Sequence, residues 1–462
     1  MSDRKIGGKI SSTSEGIDPK TRKKIFDINV QMISHDSHSF KRCIIRRRIE
    51  DFDGEVDFSY LPVVLREYDD NDNQMLKDEI SRQGQMFMEI SRKQNCFMNY
   101  NGSLLRWKEV DHCWQVEKTM ANGRVIIDLK SFATMNPGYR MGNAKPPNKC
   151  GVELLTRKGD YIMLDQINEE EFYLLTPAVI YGFSFALKEW GQFEVLGLSK
   201  INFNENAFDQ LELSKDKKDI IRGLVMQYSE YGQMRIKPLD PISNKGKGCI
   251  FLCYGPPGTG KTLTAESVAE FLKRPLWTLS VNELGTNPVD LENKLRSVLE
   301  VAIKWNAIIL LDEADIYLEK RDIADLKRNT LVGIFLRLLE YYQGVLFLTT
   351  NRGMNLDDAI YSRINMTIHY PKLGFKERHK IWTNFLKNAD LSFEADDFSK
   401  YELNGRDIRN ILHTARTLAQ SKEESLTPNH VINVIETIQK SRNEMQEMKK
   451  TITANETEGY EN

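Results

Sequence analysis

The apolar positions change their spacing several times along the chain, and each change predicts a different kind of element. Between residues 72 and 95 they recur at helical intervals, with Met75, Ile80, Met86 and Ile90 on one face. Around that helix, Val56 to Arg66, Arg124 to Asp128 and Tyr161 to Asp165 are short strand-like runs; Glu169 to Leu175 is a short helix and Phe183 to Val195 is mixed. Residues 40–200 therefore predict an α/β domain of their own. Residues 1–39 are polar, rich in Ser, Lys and Asp, and predict a mobile tail. Residues 201–244 predict a linker with one helix, Lys215 to Tyr231, whose Ile220, Ile221, Leu224 and Val225 face inward; Pro238 and Pro241 follow it.

From residue 245 onward the pattern becomes regular. Cys249 to Tyr254, Pro275 to Val281, Ala307 to Glu313, Gly344 to Asn351 and Met366 to Tyr370 read as short strands, and the first, third and fourth are continuous apolar runs up to their polar ends. Such runs mark strands buried on both faces of a parallel sheet. Helical stretches separate them: Thr262 to Leu272, Pro288 to Trp305 and Arg328 to Tyr342. Strands alternating with helices predict a doubly wound parallel sheet over residues 245–371. After Pro371 the chain reads all-helical through 372–446, and 447–462 predict a polar tail.

Composition narrows the class. The 462 residues carry 64 Lys plus Arg against 66 Asp plus Glu, a net charge of −2, so nothing global points to nucleic acid. A basic cluster, Lys41 to Arg48, reads first as a strand with solvated arginines. No apolar run reaches the ~18 residues of a membrane span, and the polar start of the chain has no signal-peptide core. The six cysteines form no CxxC pair, which fits free thiols in a reducing compartment, cytoplasmic or nuclear. His112, Cys113 and Trp114 stand together, but structural zinc wants four ligands, so they read as a packed strand.

The chemistry concentrates at strand ends in the regular part. Gly255-Pro256-Pro257-Gly258-Thr259-Gly260-Lys261-Thr262 lies between a predicted strand and a predicted helix. That is the context of a phosphate-binding P-loop. Its glycines let backbone amides turn inward at the positive end of the helix. Lys261 can reach the β- and γ-phosphates of ATP, and the Thr262 hydroxyl can ligand Mg²⁺. Leu263 continues the helix beside the site. Asp312 and Glu313 close the third apolar run, 50 residues after Thr262. Asp312 suits the same Mg²⁺ through water, and Glu313, one residue on, suits a general base. Asn351 ends a strand that should lie between the P-loop strand and the Asp312 strand, where an amide can hold the attacking water.

Together these features resemble the AAA+ ATPases over Lys215 to about Arg442, roughly half the chain. Gly255 to Thr262 looks like Walker A, Leu310 to Glu313 like Walker B and Asn351 like sensor 1. Asp312-Glu-Ala-Asp315, Leu338 to Gln343, Thr349-Thr-Asn-Arg352 and Asn404 to Asn410 make the chain most similar to the fungal-type single-AAA proteins with an N-terminal domain of unknown function. The resemblance implies an ATPase domain with a helical lid, a homo-oligomeric ring (usually a hexamer), and a protein partner selected by the N-terminal domain. It also implies an arginine finger at Arg363, with Met366 where a second arginine is common, and a sensor 2 position at Arg406. The loop Asn282 to Pro288 lacks the aromatic residue with which polypeptide-threading members grip a chain. A remodelling ATPase and a nucleotide-gated scaffold with slow hydrolysis both remain open at this point.

Overall fold

The computed structural model describes residues 9–17, 22, 24–35, 40–50, 73–110, 113–137, 139, 153–155, 169–227, 248–321, 325–351 and 356–458. The expected strands Val56 to Arg66 and Tyr161 to Asp165 lie outside these residues, as does His112. So do the side chains of the Lys41 to Arg48 cluster, apart from Ile44. The chain divides into two units, Met1–Asn202 and Phe203–Asn462.

The first unit begins with strands β1 (Lys9–Ile17), β2 (Lys24–His35) and β3 (Phe40–Glu50), followed by helix α1 (Asn73–Ser91). Two 15-residue strands, β4 (Cys96–Val110) and β5 (Cys113–Ile127), pair along their whole length. Then come α2 (Leu129–Met135), β6 (Glu153–Leu155), α3 (Glu169–Leu175), β7 (Val179–Ser184), β8 (Glu189–Glu194) and β9 (Leu198–Ser199). They form two sheets, β1-β2-β3-β6 and β5-β7-β8-β4-β9, and every pairing in both is antiparallel. One apolar core joins Phe87 and Ile90 of α1, Leu104 of β4, Phe132 of α2, Phe172 of α3 and Phe193 of β8. At Gly84 helices α1 and α3 meet backbone to backbone: a Cβ there would lie 2.2 Å from the Tyr173 carbonyl oxygen.

Two expectations are corrected in this unit. Residues 9–17 and 24–35, assigned by composition to a mobile tail, are β1 and β2. The described residues of β1 are exposed, while Ile25, Ile28 and Ile33 of β2 are buried, with Asp27 beside them, and Ile33 belongs to the same core as α1. Composition could not report this, because the pairing satisfies backbone groups rather than side chains. Met75, placed on the inner face of α1, is 71% exposed; Phe87 and Met88 take the inner positions.

The hairpin fixes where an autonomous fragment must start. Residues 1–202 expressed alone should give one cooperative unfolding transition. A fragment beginning at residue 40 loses Ile25, Ile28 and Ile33, and each large buried apolar side chain removed costs about 2–5 kcal/mol. It should melt well below the longer fragment or not fold, as circular dichroism against temperature would show; equal midpoints would mean the hairpin is dispensable.

The second unit begins with α4 (Lys215–Gln227), and then strand and helix alternate: β10 (Cys249–Tyr254), α5 (Lys261–Leu272), β11 (Leu276–Ser280), the short α6 (Val281–Leu284), α7 (Pro288–Lys304), β12 (Ile308–Asp312), the short α8 (Asp315–Leu318), α9 (Leu326–Tyr341), β13 (Val345–Thr350), the short α10 (Asp358–Tyr361) and β14 (Met366–His369). The five strands form one parallel sheet in the order β11-β12-β13-β10-β14. β13 thus lies between β12 and β10, as the sequence requires for Asn351. All six residues of β13 are buried, which explains its unbroken apolar text up to two threonines. Phe251 and Phe347 stack across β10 and β13 with centroids 4.6 Å apart.

The helical end comprises α11 (Phe375–Asn388), α12 (Asp396–Ser399), α13 (Gly405–Ser421) and α14 (Pro428–Glu458) around Trp382, Phe398, Ile411 and Ile435. Helix α14 continues through residues 447–458, where the polar composition predicts a tail.

The segment read as a linker is also corrected. Phe208, Leu211, Ile221 and Val225 are built into the core that holds Phe251, Leu310 and Phe347. This stretch is therefore part of the second unit rather than a spacer. Ile220, expected inside, is 52% exposed.

Candidate active site

The P-loop is held open by geometry that only glycine accommodates at two points. Gly255 has φ +145°, and a Cβ there would sit 2.0 Å from the Tyr370 carbonyl oxygen. Gly258 has φ +76°, and its Cβ would fall 2.4 Å from Asn404 Oδ1. Gly260, also at positive φ, stands at the N-cap of α5. Thr259 closes the turn by donating its hydroxyl to the Pro256 carbonyl at 2.8 Å. Leu263, one turn into the helix, is exposed and purely apolar.

Lys261 is buried and its ammonium is fully engaged. Nζ donates to the Gly255 carbonyl at 2.8 Å, the Pro256 carbonyl at 2.8 Å and Asn351 Oδ1 at 2.9 Å. An ammonium has three donors, so all three are matched. Burial lowers its pKa, opposed by Asp312, Cys253 and Asp315 and assisted by Arg406. The bond to Asn351 joins residues 90 apart in sequence and depends on β13 lying beside β10.

Asp312 ends β12 and receives two hydroxyls on one oxygen. Thr262 Oγ1 donates to Oδ1 at 3.2 Å, and Thr349 Oγ1 donates to the same atom at 2.5 Å. Glu313 follows with φ +54°, a left-handed conformation in a residue that has a Cβ. Its amide donates to Thr349 Oγ1 at 3.0 Å, and the next amide, of Ala314, donates to the Thr349 carbonyl at 2.9 Å. The Glu313 side chain is exposed and has no hydrogen-bond partner among the described residues. Next to it, Asp315 accepts the hydroxyl of Thr350. Thr262 and Asp312 present hard oxygen donors side by side at the start of the α5 helix. That donor set fits Mg²⁺, which prefers one or two protein oxygens and takes the rest from phosphate and water.

The helical end closes onto the loop. Gly405 N donates to the Gly258 carbonyl at 2.9 Å. Asn404 caps α13 by accepting from Asp407 N at 2.9 Å, and Asp407 in turn accepts from Asn404 N at 3.2 Å. Arg442 of α14 holds Asp407 through both guanidinium ends. Arg406 is exposed, near enough for its charge to act on Lys261.

Arg363 is placed elsewhere. It lies beyond α10 and binds the C-terminal half of α9: Nε donates to the Leu336 carbonyl at 3.1 Å, and Nη2 pairs with Glu340 at 3.2 Å. Nη1 donates to the Ala359 carbonyl at 2.7 Å. None of these partners belongs to its own P-loop. α10 is anchored by the buried Asp357, whose carboxylate caps Ala359 N and takes a two-pronged contact from Arg321, at 2.7 and 3.2 Å. Arg321 holds that carboxyl below the usual range against the opposing effect of burial, which is the largest single influence on it.

Sequence reading thus found Lys261, Thr262, Asp312 and Asn351, which the fold brings together. It gave Thr349, Asp315 and Asn404 no role of their own, although each lies in a stretch that carries the resemblance. Thr349 was visible as a hydroxyl ending an apolar strand, but its role depends on the register of β12 against β13 (Leu311 beside Leu348). Cys249 and Cys253 on β10 are inert, because burial pushes both thiols up to about 12.

Known proteins agree with this geometry. Residues 251–372 match the family described as ATPase family associated with various cellular activities (AAA). An Arabidopsis thaliana protein, ATPase family AAA domain-containing protein FIGL1, is 29% identical over 238 residues, covering 47% of this chain and 35% of the relative. A putative 26S proteasome regulatory subunit homolog of Methanothermobacter thermautotrophicus is 31% identical over 196 residues, 39% of this chain and 52% of its own. The proteasome-activating nucleotidase of Saccharolobus solfataricus is 29% identical over 215 residues, 43% of this chain and 55% of its own. The chain therefore spans about a third to a half of the length of these relatives. The parallel five-stranded sheet, the P-loop between strand β10 and helix α5, and the match across 251–372 agree in making that stretch a domain of the AAA ATPase type.

Proposed function

We propose that this chain binds ATP with Mg²⁺ at the P-loop, hydrolyses it, and uses the resulting movement to remodel a protein partner. The observation that carries the reading is the convergence of Lys261 on Asn351 next to the Thr262–Asp312 contact. These four side chains come from two strand ends, those of β12 and β13, and from the start of one helix, α5.

Lys261 and the loop amides would hold the phosphates. Thr262 and Asp312 would hold Mg²⁺, which when bound neutralises charge on the phosphate oxygens. Asn351 orients the attacking water, and Glu313 accepts its proton. Arg363 would serve the nucleotide of a neighbouring subunit in a homo-oligomeric ring, a hexamer in the simplest arrangement. The first unit would select the partner. Two of the relatives carry the word proteasome in their names, which favours a protein as the thing acted on.

Lys261→Ala tests the nucleotide site. Loss of the ammonium leaves phosphate charge uncompensated among buried groups, and ATP binding should be abolished in a titration with a fluorescent analogue. Wild-type affinity in this variant would remove the P-loop from the proposal.

A second reading, a nucleotide-gated scaffold with slow turnover, has one observation in its favour. Arg363 is engaged by Glu340 and two carbonyls within its own chain, so its use by a neighbour requires breaking those contacts first. The rate of the assembled wild type, slow or fast, separates the two.

A further inference from the structure

We infer that Thr349 is a positioning residue for both acids of the site: it orients Asp312 toward bound Mg²⁺ and locks the backbone from which Glu313 projects. This rests on the Mg-ATP reading above. The argument starts from burial. Thr349 is 1% exposed, and a hydroxyl so buried must be hydrogen-bonded. A merely structural threonine could satisfy itself on any nearby carbonyl. This one instead donates to Asp312 Oδ1 and accepts the amide hydrogen of Glu313. Its carbonyl accepts the amide of Ala314. One residue of β13 therefore grips three consecutive residues at the end of β12.

The two grips do different things. Together with Thr262, the Thr349 hydroxyl occupies Oδ1 of Asp312, which fixes the plane of the carboxylate and leaves Oδ2 as the oxygen to face the water shell of a cation. The second grip bears on conformation. Glu313 is left-handed at φ +54°, a conformation costly for any residue with a Cβ and kept only where surroundings over-determine it. The hydrogen bond from its amide to Thr349 Oγ1 helps to hold it there, beside the Ala314 amide on the Thr349 carbonyl. Groups that orient a metal ligand typically matter roughly 10- to 100-fold in metal affinity or activity.

The test uses the full-length chain with Thr349→Val, which keeps the shape and removes the hydroxyl, and Thr349→Ser, which keeps the hydroxyl and removes the methyl. Binding of a fluorescent ATP analogue is titrated with Mg²⁺ and, separately, in EDTA, so that the readout does not depend on turnover. In Thr349→Val the Mg²⁺ concentration giving half the Mg²⁺-dependent gain should rise roughly 10- to 100-fold, with affinity in EDTA unchanged. Thr349→Ser should stay close to the wild type. Should Thr349→Val fail to fold by thermal melting, Thr349→Ala takes its place with the same expectation. A wild-type Mg²⁺ response in the hydroxyl-free variant overturns the inference, as does an equal loss in Thr349→Ser, because the hydroxyl would then not be the cause. If the wild type itself shows no Mg²⁺-dependent binding, the Mg-ATP reading fails first and the inference falls with it.

Discussion

Glu313→Gln should bind ATP like the wild type and turn it over about 10²- to 10⁴-fold more slowly, the contribution of a general base. The structure makes this substitution unusually clean. What fixes residue 313 is its own amide on Thr349 and the Ala314 amide on the Thr349 carbonyl, all backbone donors that glutamine keeps. The exposed carboxylate has no partner among the described residues, so replacing it strands nothing. Asp312, with Thr262 and Thr349 on its Oδ1, is untouched. The measurement is single-turnover hydrolysis beside equilibrium nucleotide affinity. Wild-type turnover would place the base elsewhere, with Asp315 the next acid to examine.

Arg363→Ala should also bind ATP and hydrolyse it very poorly, by about 10³- to 10⁵-fold if it acts as an arginine finger. The effect should appear in trans. Within its own chain Arg363 reaches α9 and Ala359, and Met366 supplies no second arginine. Mixing Arg363→Ala with Lys261→Ala should therefore restore some activity, because one supplies the guanidinium and the other a working P-loop. Removing Arg363 also removes its ion pair with Glu340, so the thermal midpoint has to be followed alongside. No recovery at any mixing ratio, with mixed assemblies shown to form, would mean that Arg363 does not serve a neighbour.

How much of this was legible in sequence divides along the distance over which each feature is decided. The sheet of the second unit was plain, because strands buried on both faces must be apolar throughout, as all six residues of β13 are. The loop from Gly255 to Thr262 was equally plain, since its strand, glycines and helix are contiguous. Asn351 needed one further step, the strand order, which the doubly wound pattern supplies. Other features are decided by partners far away in the chain. β1 and β2 look like a tail until β3 pairs with β2, and Ile33 has no visible purpose until it joins the core that α1 and α3 share. Phe208 and Leu211 read as spacer because the core they complete begins only at β10. Of the long pair β4 and β5, only the two ends of β5 were read, at Cys113 and Trp114 and from Arg124 onward. The pair's apolar positions are diluted by Asn99, Asn101 and Gly102, and pairing rather than burial holds much of its length. Thr349 escaped for a subtler reason. A threonine at a strand end is ordinary, and only side-by-side register with β12 gives it two acids to hold.

The hydrogen bond from Gly405 to the Gly258 carbonyl makes the phosphate loop and the helical end parts of one thermodynamic cycle. Any coupling between two such events is reciprocal: whatever factor nucleotide imposes on the position of α13, the position of α13 imposes on nucleotide affinity. A single backbone hydrogen bond, worth about 1 kcal/mol net, corresponds to a factor of about five. Arg442 extends the cycle outward, since it holds Asp407 and Asp407 completes the cap at Asn404. A load that pulls on the C-terminal end of α14 would therefore act on the dissociation constant from about 24 Å of helix beyond Arg442, counted at about 1.5 Å per residue up to Glu458. Nucleotide affinity in this protein is in that sense a gauge of mechanical state, read at a glycine.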